Sequence, residues 1–489
     1  MKVRGYRVER GEVEAVLAAH PAVSRAVVSV RESGDGSGNQ IVGYVVAEES
    51  GDGDGIDEQL VEQWRNVYND LYDTTQHPDT TTPSDTTDAS ETSGVSGGGV
   101  VFGEDFSGWR SSYSGAAIAV EQMREWQSST VERIRGLHPQ RVLEIGVGTG
   151  LLLRHLAPET REYHGTDLSP ATIATLRHQL RAQDQPWVER VTLTACPADD
   201  TTALPDNHFD VIVLNSVVQY FPSENYLRRV INQALGLLAP GGALFLGDIR
   251  NHALLEEFTT ATQLAHHPHD TPDTLRDRVH RTINAEQELL LAPDYFPALA
   301  AVIPDIAAID IQLKRGHAIN ELTRYRYDVT LRKGPITVLS LAEAPSTPYT
   351  DLPALNTLLD NHAHAARHHS VRITHIPHTG LIDDIRAAQH VRAGHPVPPA
   401  SLPGIEHTHT HHRPLGTLLP EDLHTLGHHH NLHTTVTWST HRPDCIDAIF
   451  TTPTTPTTLT ATATANTTHD NPTAIDSAVP NNTTAIDSA

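Results

Sequence analysis

Between Val142 and Gly150 the chain reads VLEIGVGTG: an apolar run carrying Glu144, then Gly146, Gly148 and Gly150 at alternate positions. Glycine has no Cβ, so such a loop can turn sharply off a strand and bring its backbone close to a ligand. Asp167 follows in EYHGTDL, with Leu168 after it, and a carboxylate there can accept both hydroxyls of a ribose in charge-assisted bonds. Further along stand Asp199 in ACPADD, then Asn215, Gln219 and Tyr220 in NSVVQY, then Asp248 and Arg250 in GDIR. A dinucleotide fingerprint, G-x-G-x-x-G, would need its third glycine at position 151, where the chain has Leu151.

Those residues have to be held by something regular. RVLEIGV, EYHGTDL, VTLTAC, FDVIVLNSV and GALFLGDI are short apolar runs at helix-spaced intervals, which predicts a mostly parallel sheet built from βαβ units. LSPATIATLRHQLRAQ is a marked helix, with Ser169 as N-cap and Pro170 at the first helical position. Ligands of open parallel sheets bind beyond the C-terminal strand ends, where Asn215, Gln219 and Tyr220 of the fourth strand and Asp248 and Arg250 of the fifth fall. Residues 251–300 carry helical patterns and are expected to form a lid over the substrate.

The acid ahead of the glycines and the G-x-G-x-G spacing are similar to those of class I S-adenosylmethionine-dependent methyltransferases. NSVVQYFPSENYL, LAPGGALFLGDIR, FSGWRSSYSG, NDLYD and TRYRYDVTLRK resemble, more narrowly, the methyltransferase domains embedded in non-ribosomal peptide synthetases, over roughly residues 56–450. In that family Asn usually stands where this chain has His378. The opening KVRGYRVERGEVEAVL resembles the start of the C-terminal subdomain of an adenylation domain, into which such methyltransferases are often spliced. The resemblance implies a Rossmann-like α/β fold with helices on both faces of the sheet. It implies S-adenosylmethionine as cofactor, bound by Glu144, Gly146, Gly148, Gly150, Asp167, Leu168, Asp199 near the adenine, and Asn215. It implies N-methylation of an aminoacyl or peptidyl amine on a phosphopantetheinyl carrier protein or carrier domain, alongside other synthetase modules. Adenylation is not expected, because the nucleotide-binding subdomain is missing and no lysine follows Lys333. An O- or C-methyltransferase of the same fold, and a truncated inactive remnant, stay open as alternatives. C-methylation would call for a real base, and no histidine sits within the fourth- and fifth-strand motifs.

Methyl transfer asks mainly for placement of a lone pair behind the methyl carbon. An α-amine beside a thioester carbonyl is already a weak base, so a polar group that orients the N–H is enough. Asn215 and Asp248 are expected to face the substrate and Tyr220 to shape the pocket, with its ring against the sulfonium. Trp109 and Tyr113, ahead of the first strand, are expected either to close over the cofactor or to pack.

The reading divides 489 residues into five stretches. Residues 1–50 form a partial adenylation subdomain of α+β character, and 56–105 a helix and a Thr/Ser/Gly-rich loop. The methyltransferase core spans 106–334, a C-terminal α/β lobe spans 335–450, and 451–489 is expected to be a low-complexity, disordered tail. Net charge is −25, from 60 acidic and 35 basic residues, which disfavours nucleic acid and anionic membranes as partners. An acidic carrier would then need a local basic patch, for which Arg228–Arg229 is the candidate. Two cysteines cannot make a disulfide framework, and with no apolar N-terminal run a cytoplasmic setting is expected. The histidine-rich runs 406–413 and 427–433 lack a Cys or carboxylate frame at ligand spacing, so no metal site is expected.

Overall fold

The computed structural model describes residues 101–336, 338–341, 344–364, 370–398, 416–440, 442–452 and 458–460, with parts of the first 65. The expected loop of 74–99, the NDLYD stretch, the histidines of 406–413 and the tail beyond 460 lie outside the described residues. Before that point the tail expected to be disordered from 451 is ordered in part: Thr451 is buried at the end of a strand, and Thr458–Thr460 pairs in parallel with Val338–Ser340. The chain divides into two compact units, Met1–Tyr68 and Asn69–Ala489. The division falls after Tyr68, so the helical residues 60–62 and 64–65, read from sequence as an approach to the methyltransferase, group with the first unit.

In the first unit Val23–Glu32 and Asn39–Ala47 pair antiparallel, with a short hairpin of Lys2–Val3 and Tyr6–Arg7 ahead of them. Val28 is buried, and its amide donates to Glu14 Oε1 at 2.8 Å.

The second unit is built on seven strands: β1 (Arg141–Ile145), β2 (Glu162–Asp167), β3 (Val191–Ala195), β4 (Phe209–Asn215), β5 (Leu238–Arg250), β6 (Ile306–Leu313) and β7 (Arg326–Lys333). Their spatial order is β6-β7-β5-β4-β1-β2-β3. The first five run parallel, while β7 inserts antiparallel between β5 and β6. The central strands read as unbroken apolar runs because both faces are covered: Val142, Leu143, Val211, Ile212, Leu244 and Phe245 are fully buried.

Helices supply the cover. In α1 (Val120–Arg135) Met123, Trp126, Gln127, Thr130, Val131 and Ile134 recur at three- and four-residue spacing and form its buried stripe. In α2 (Pro170–Arg181) Ser169 Oγ accepts from the Thr172 amide, as the cap reading predicts. Ser223 caps α3 (Glu224–Leu237) in the same way. Beyond β5 come α4 (Leu255–His266), α5 (Pro272–Asn284) and α6 (Tyr295–Val302), where the helical insertion was expected. A short α7 (Glu321–Tyr325), capped by Asn320, leads into β7.

The C-terminal lobe has its own sheet: β8 (Ser346–Pro348), β9 (Ser370–Pro377), β10 (His433–Trp438) and β11 (Cys445–Thr451), ordered β8-β9-β11-β10. Helices α8 (Leu352–His364) and α10 (Pro420–His429) cover it around Leu359, Ile376, Leu423 and Ile446. Helix α9 (Ile382–Arg392) instead packs on the insertion, where Ala387 and Val391 meet Leu264 and Leu275. No helix among the described residues is long and apolar enough to cross a membrane.

Candidate active site

The glycine loop leaves β1 with Gly146 at φ 81°, Gly148 at 50° and Gly150 at 81°. A Cβ on Gly146 would stand 2.3 Å from Val217 Cγ2, so this position tolerates no side chain without displacement. The Gly146 and Val147 amides both donate to the Thr166 carbonyl at the end of β2. The Gly148 amide donates to Asp167 Oδ2 at 2.9 Å, and the Ser169 amide to Asp167 Oδ1 at 2.9 Å. These bonds fix the carboxylate against the loop and leave each oxygen a further lone pair. Burial pushes the Asp167 carboxyl above its ordinary value against the pull of the two amides. Leu168 is half-buried between Asp167 and the capping Ser169.

Glu144 is placed differently from the expectation of ligand contact. It is 4% exposed, and its Oε2 accepts from the Tyr163 hydroxyl at 2.6 Å on the neighbouring strand. Burial drives its carboxyl up to about 8, against the Tyr163 hydrogen bond. It braces the loop from beneath. Asp199 is half-buried past β3, and its Oδ1 accepts from the Tyr226 hydroxyl of α3 at 2.8 Å. Arg229 lies over the Tyr226 ring and 4.0 Å from Asp199 Oδ2, so Arg228 is the exposed member of that arginine pair.

At the end of β4, Asn215 packs over Gly247, whose missing Cβ makes the room. Its Nδ2 donates to Ser216 Oγ, and its buried Oδ1 has no hydrogen-bond partner among the described residues. A buried acceptor without a donor costs free energy, which a ligand N–H at this edge would recover. Ser216, absent from the sequence reading, has φ 58° and donates to Asp248 Oδ2 at 2.8 Å. Gln219 is buried, its side chain bonded to the Ser216 carbonyl, and Tyr220 is half-buried on the following turn.

Asp248 was expected to face the substrate, and the structure corrects this. The β5–β7 register slips at this point, so that Gly247 and Asp248 together oppose Asp328. Such a bulge re-aims a side chain, and Asp248 takes φ 68° with its carboxylate enclosed at 0% exposure. It accepts from Trp126 Nε1, Ser216 Oγ and Arg326, with Lys314 Nζ at 3.5 Å. Burial alone would raise its carboxyl, but Arg326 and Lys314 hold it below the ordinary range. Asp328 accepts from the Asp248 amide, Lys314 and Arg133, completing a buried charge network beneath the strand ends. Lys314 and Arg326 give no periodic signal in the sequence, because the antiparallel pair β6 and β7 brings them in, Lys314 just after β6 and Arg326 at the start of β7.

Arg250 does not pair with Asp248 either. Its guanidinium meets Glu288 at 2.6 Å and Glu286 at 2.8 Å, both after α5. Beside it, beyond β5, lies a cavity of about 280 Å³. Trp109 packs on Trp126 at 4.8 Å, and Tyr113 is buried under the Arg324 guanidinium, so both aromatics pack in the wall ahead of α1. His378 is buried, with Nδ1 accepting from the Gly380 amide, and burial depresses its imidazole to about 4. Among the described residues no cluster of three or more His, Cys, Asp or Glu could hold a metal ion.

Residues 143–244 match the family model described as a methyltransferase domain. Over 382 residues the chain is 42% identical to a probable non-canonical non-ribosomal peptide synthetase, CymA, of Salinispora arenicola, covering 78% of this chain and 4% of that one. It is 40% identical over 342 residues to chondramide synthase of Chondromyces crocatus, covering 68% and 8% respectively. The chain thus spans a small fraction of the length of these relatives. Among solved structures, N-methyltransferase NodS of Bradyrhizobium japonicum with S-adenosyl-L-homocysteine aligns at TM-score 0.31 and 16% identity, over 43% of this chain and 88% of that one.

Proposed function

We propose that this chain, which carries a class I S-adenosylmethionine-dependent methyltransferase domain related to those of non-ribosomal peptide synthetases, methylates the amine of an aminoacyl or peptidyl group held on a carrier. The observation that supports it most is the Asp167 carboxylate, tied to the Gly148 amide at the C-terminal edge of a parallel sheet. When bound, S-adenosylmethionine supplies a methyl group on a sulfonium centre. Asp167 would hold the ribose, the Gly146–Gly150 backbone would lie along the ligand, and Asp199 and Leu168 would border the adenine. Asn215 would border the bound group at the end of β4. The network around Asp248 keeps Ser216 and Arg326 in place, and so acts on positioning.

An amine acceptor fits the residues better than carbon does. A carbon acid needs a strong base, and His252, the histidine nearest the end of β5 in sequence, is exposed. Helices α4 to α6 stand where a lid would shut water out. Calorimetry with S-adenosylmethionine tests the cofactor site, and absence of binding ends the proposal. Incubation with cofactor and an aminoacylated carrier protein should add one methyl group, located on nitrogen by fragment mass spectrometry. Oxygen or carbon methylation would replace the acceptor assignment. Cofactor binding without any transfer would favour an inactive remnant.

A further inference from the structure

The activity proposed above names an acyl-bound amine but neither the residues that seat it nor the side chain it carries, and the cavity beyond β5 bears on both. Leu254, Leu255, Phe258, Leu290 and Tyr325 give it an apolar wall. The Phe258 and Tyr325 rings meet edge-on at 5.0 Å, which fixes that wall as a rigid aromatic surface. Facing it are three carboxylates, Glu286, Glu288 and Glu321, and two guanidiniums, Arg250 and Arg326. Both arginines are committed. Arg250 is held between Glu286 and Glu288, and Arg326 bonds the buried Asp248. Glu321 is the carboxylate over: it is 8% exposed, and its oxygens accept from the Ser112 amide at 2.7 Å and the Ser112 hydroxyl at 2.9 Å. Each oxygen keeps a lone pair, and among the described residues no cation stands within ion-pair distance of it.

Resting on the methyltransferase reading, we propose that this cavity seats the acceptor as an α-amine with an apolar side chain and a masked carboxyl. The amine N–H is received by Glu321, the side chain lies on Phe258 and Leu290, and the carbonyl carries an ester, thioester or amide. Charge selects the last feature. With the arginines satisfied and one carboxylate in excess, a free amino acid would bring a second anion into a space that already repels one. An acyl derivative brings only the amine. The cavity volume of about 280 Å³ accommodates one residue with its side chain.

The test uses the whole chain and simple surrogates, measured by calorimetry without any turnover. L-Phenylalaninamide should bind at least about tenfold tighter than L-phenylalanine and than L-aspartic acid α-amide, the scale of one charged hydrogen bond or one like-charge clash. Glu321→Gln should remove that preference by about tenfold, and Leu290→Trp, which fills the cavity from the apolar side, should abolish amide binding. Both variants should bind S-adenosylmethionine as the parent does, which also reports that they fold. Equal affinity for phenylalanine and its amide, or unchanged amide binding in both variants, overturns the assignment while leaving the methyltransferase reading intact. Loss of cofactor binding in the parent chain would sink that reading instead.

Discussion

At the residue scale, two carboxylates on neighbouring paired strands do opposite work. Asp167 has lone pairs to spare at the loop edge, whereas Glu144 is shut inside with Tyr163. Asp167→Ala should therefore weaken S-adenosylmethionine binding by at least tenfold, since each lost charge-assisted bond is worth about 1.5–3 kcal/mol; calorimetry reads this directly. Glu144→Gln should act on stability and its pH dependence. A carboxyl whose folded value lies near 8, above its ordinary 4.5, favours the folded state in its protonated form. That contribution is complete below the unfolded value and is lost as pH rises toward about 8, at up to about 1.4 kcal/mol per pH unit. Thermal melts from pH 5 to pH 8 should fall less steeply for Glu144→Gln than for the parent; equal slopes would mean the carboxyl is ionised throughout. Sequence reading found both acids because the glycine spacing points at them. It misplaced Asp248, since the bulge that turns that side chain inward depends on pairing with β7, nearly eighty residues further along the chain.

At the scale of elements, the glycine loop and the β4 turn are one construction. The loop can pass because Gly146 leaves room for Val217, and the turn sits where it does because Ser216 and Asp248, both at positive φ, are bonded to each other. Backbone held in such sparsely populated regions costs about 1–3 kcal/mol per residue and persists only where its surroundings enforce it. Gly146→Ala adds that cost at φ 81° and a 2.3 Å clash with Val217 Cγ2. It should lower the melting temperature and reduce cofactor affinity by about tenfold or more, while a variant with undisturbed binding would show that the loop can shift aside. Parallel strands β1 to β5 were legible as apolar runs, and α2 as a capped helix, because each carries a local signal. The antiparallel β6 and β7 were hidden. Their pattern is that of ordinary strands, and only long-range pairing says that they close the sheet against β5 and deliver Arg326, Asp328 and Lys314 to the site.

At the scale of the whole molecule, every residue assigned to the cofactor loop, the buried network and the acceptor cavity lies within Asn69–Ala489, one compact unit. The opening segment forms a unit of its own, with Val16, Val27, Tyr44 and Val45 from 45% to 74% exposed. Two-stranded hairpins are marginal by themselves and bury little, so this unit adds small stability, and its exposed apolar residues are a solubility burden. The composition already hinted at uneven packing, with 38% apolar residues over 489 positions, but it could not say where the boundary falls. Sequence placed the break near residues 51–55, and the division falls after Tyr68, with the helical residues 60–62 and 64–65 in the first unit. A chain starting at Asn69 should then keep its S-adenosylmethionine affinity within about twofold and its main thermal transition, and should be more soluble. If removal of residues 1–68 abolishes cofactor binding in a chain that still melts cooperatively, the first unit contributes to the site, and the independence of the two units fails.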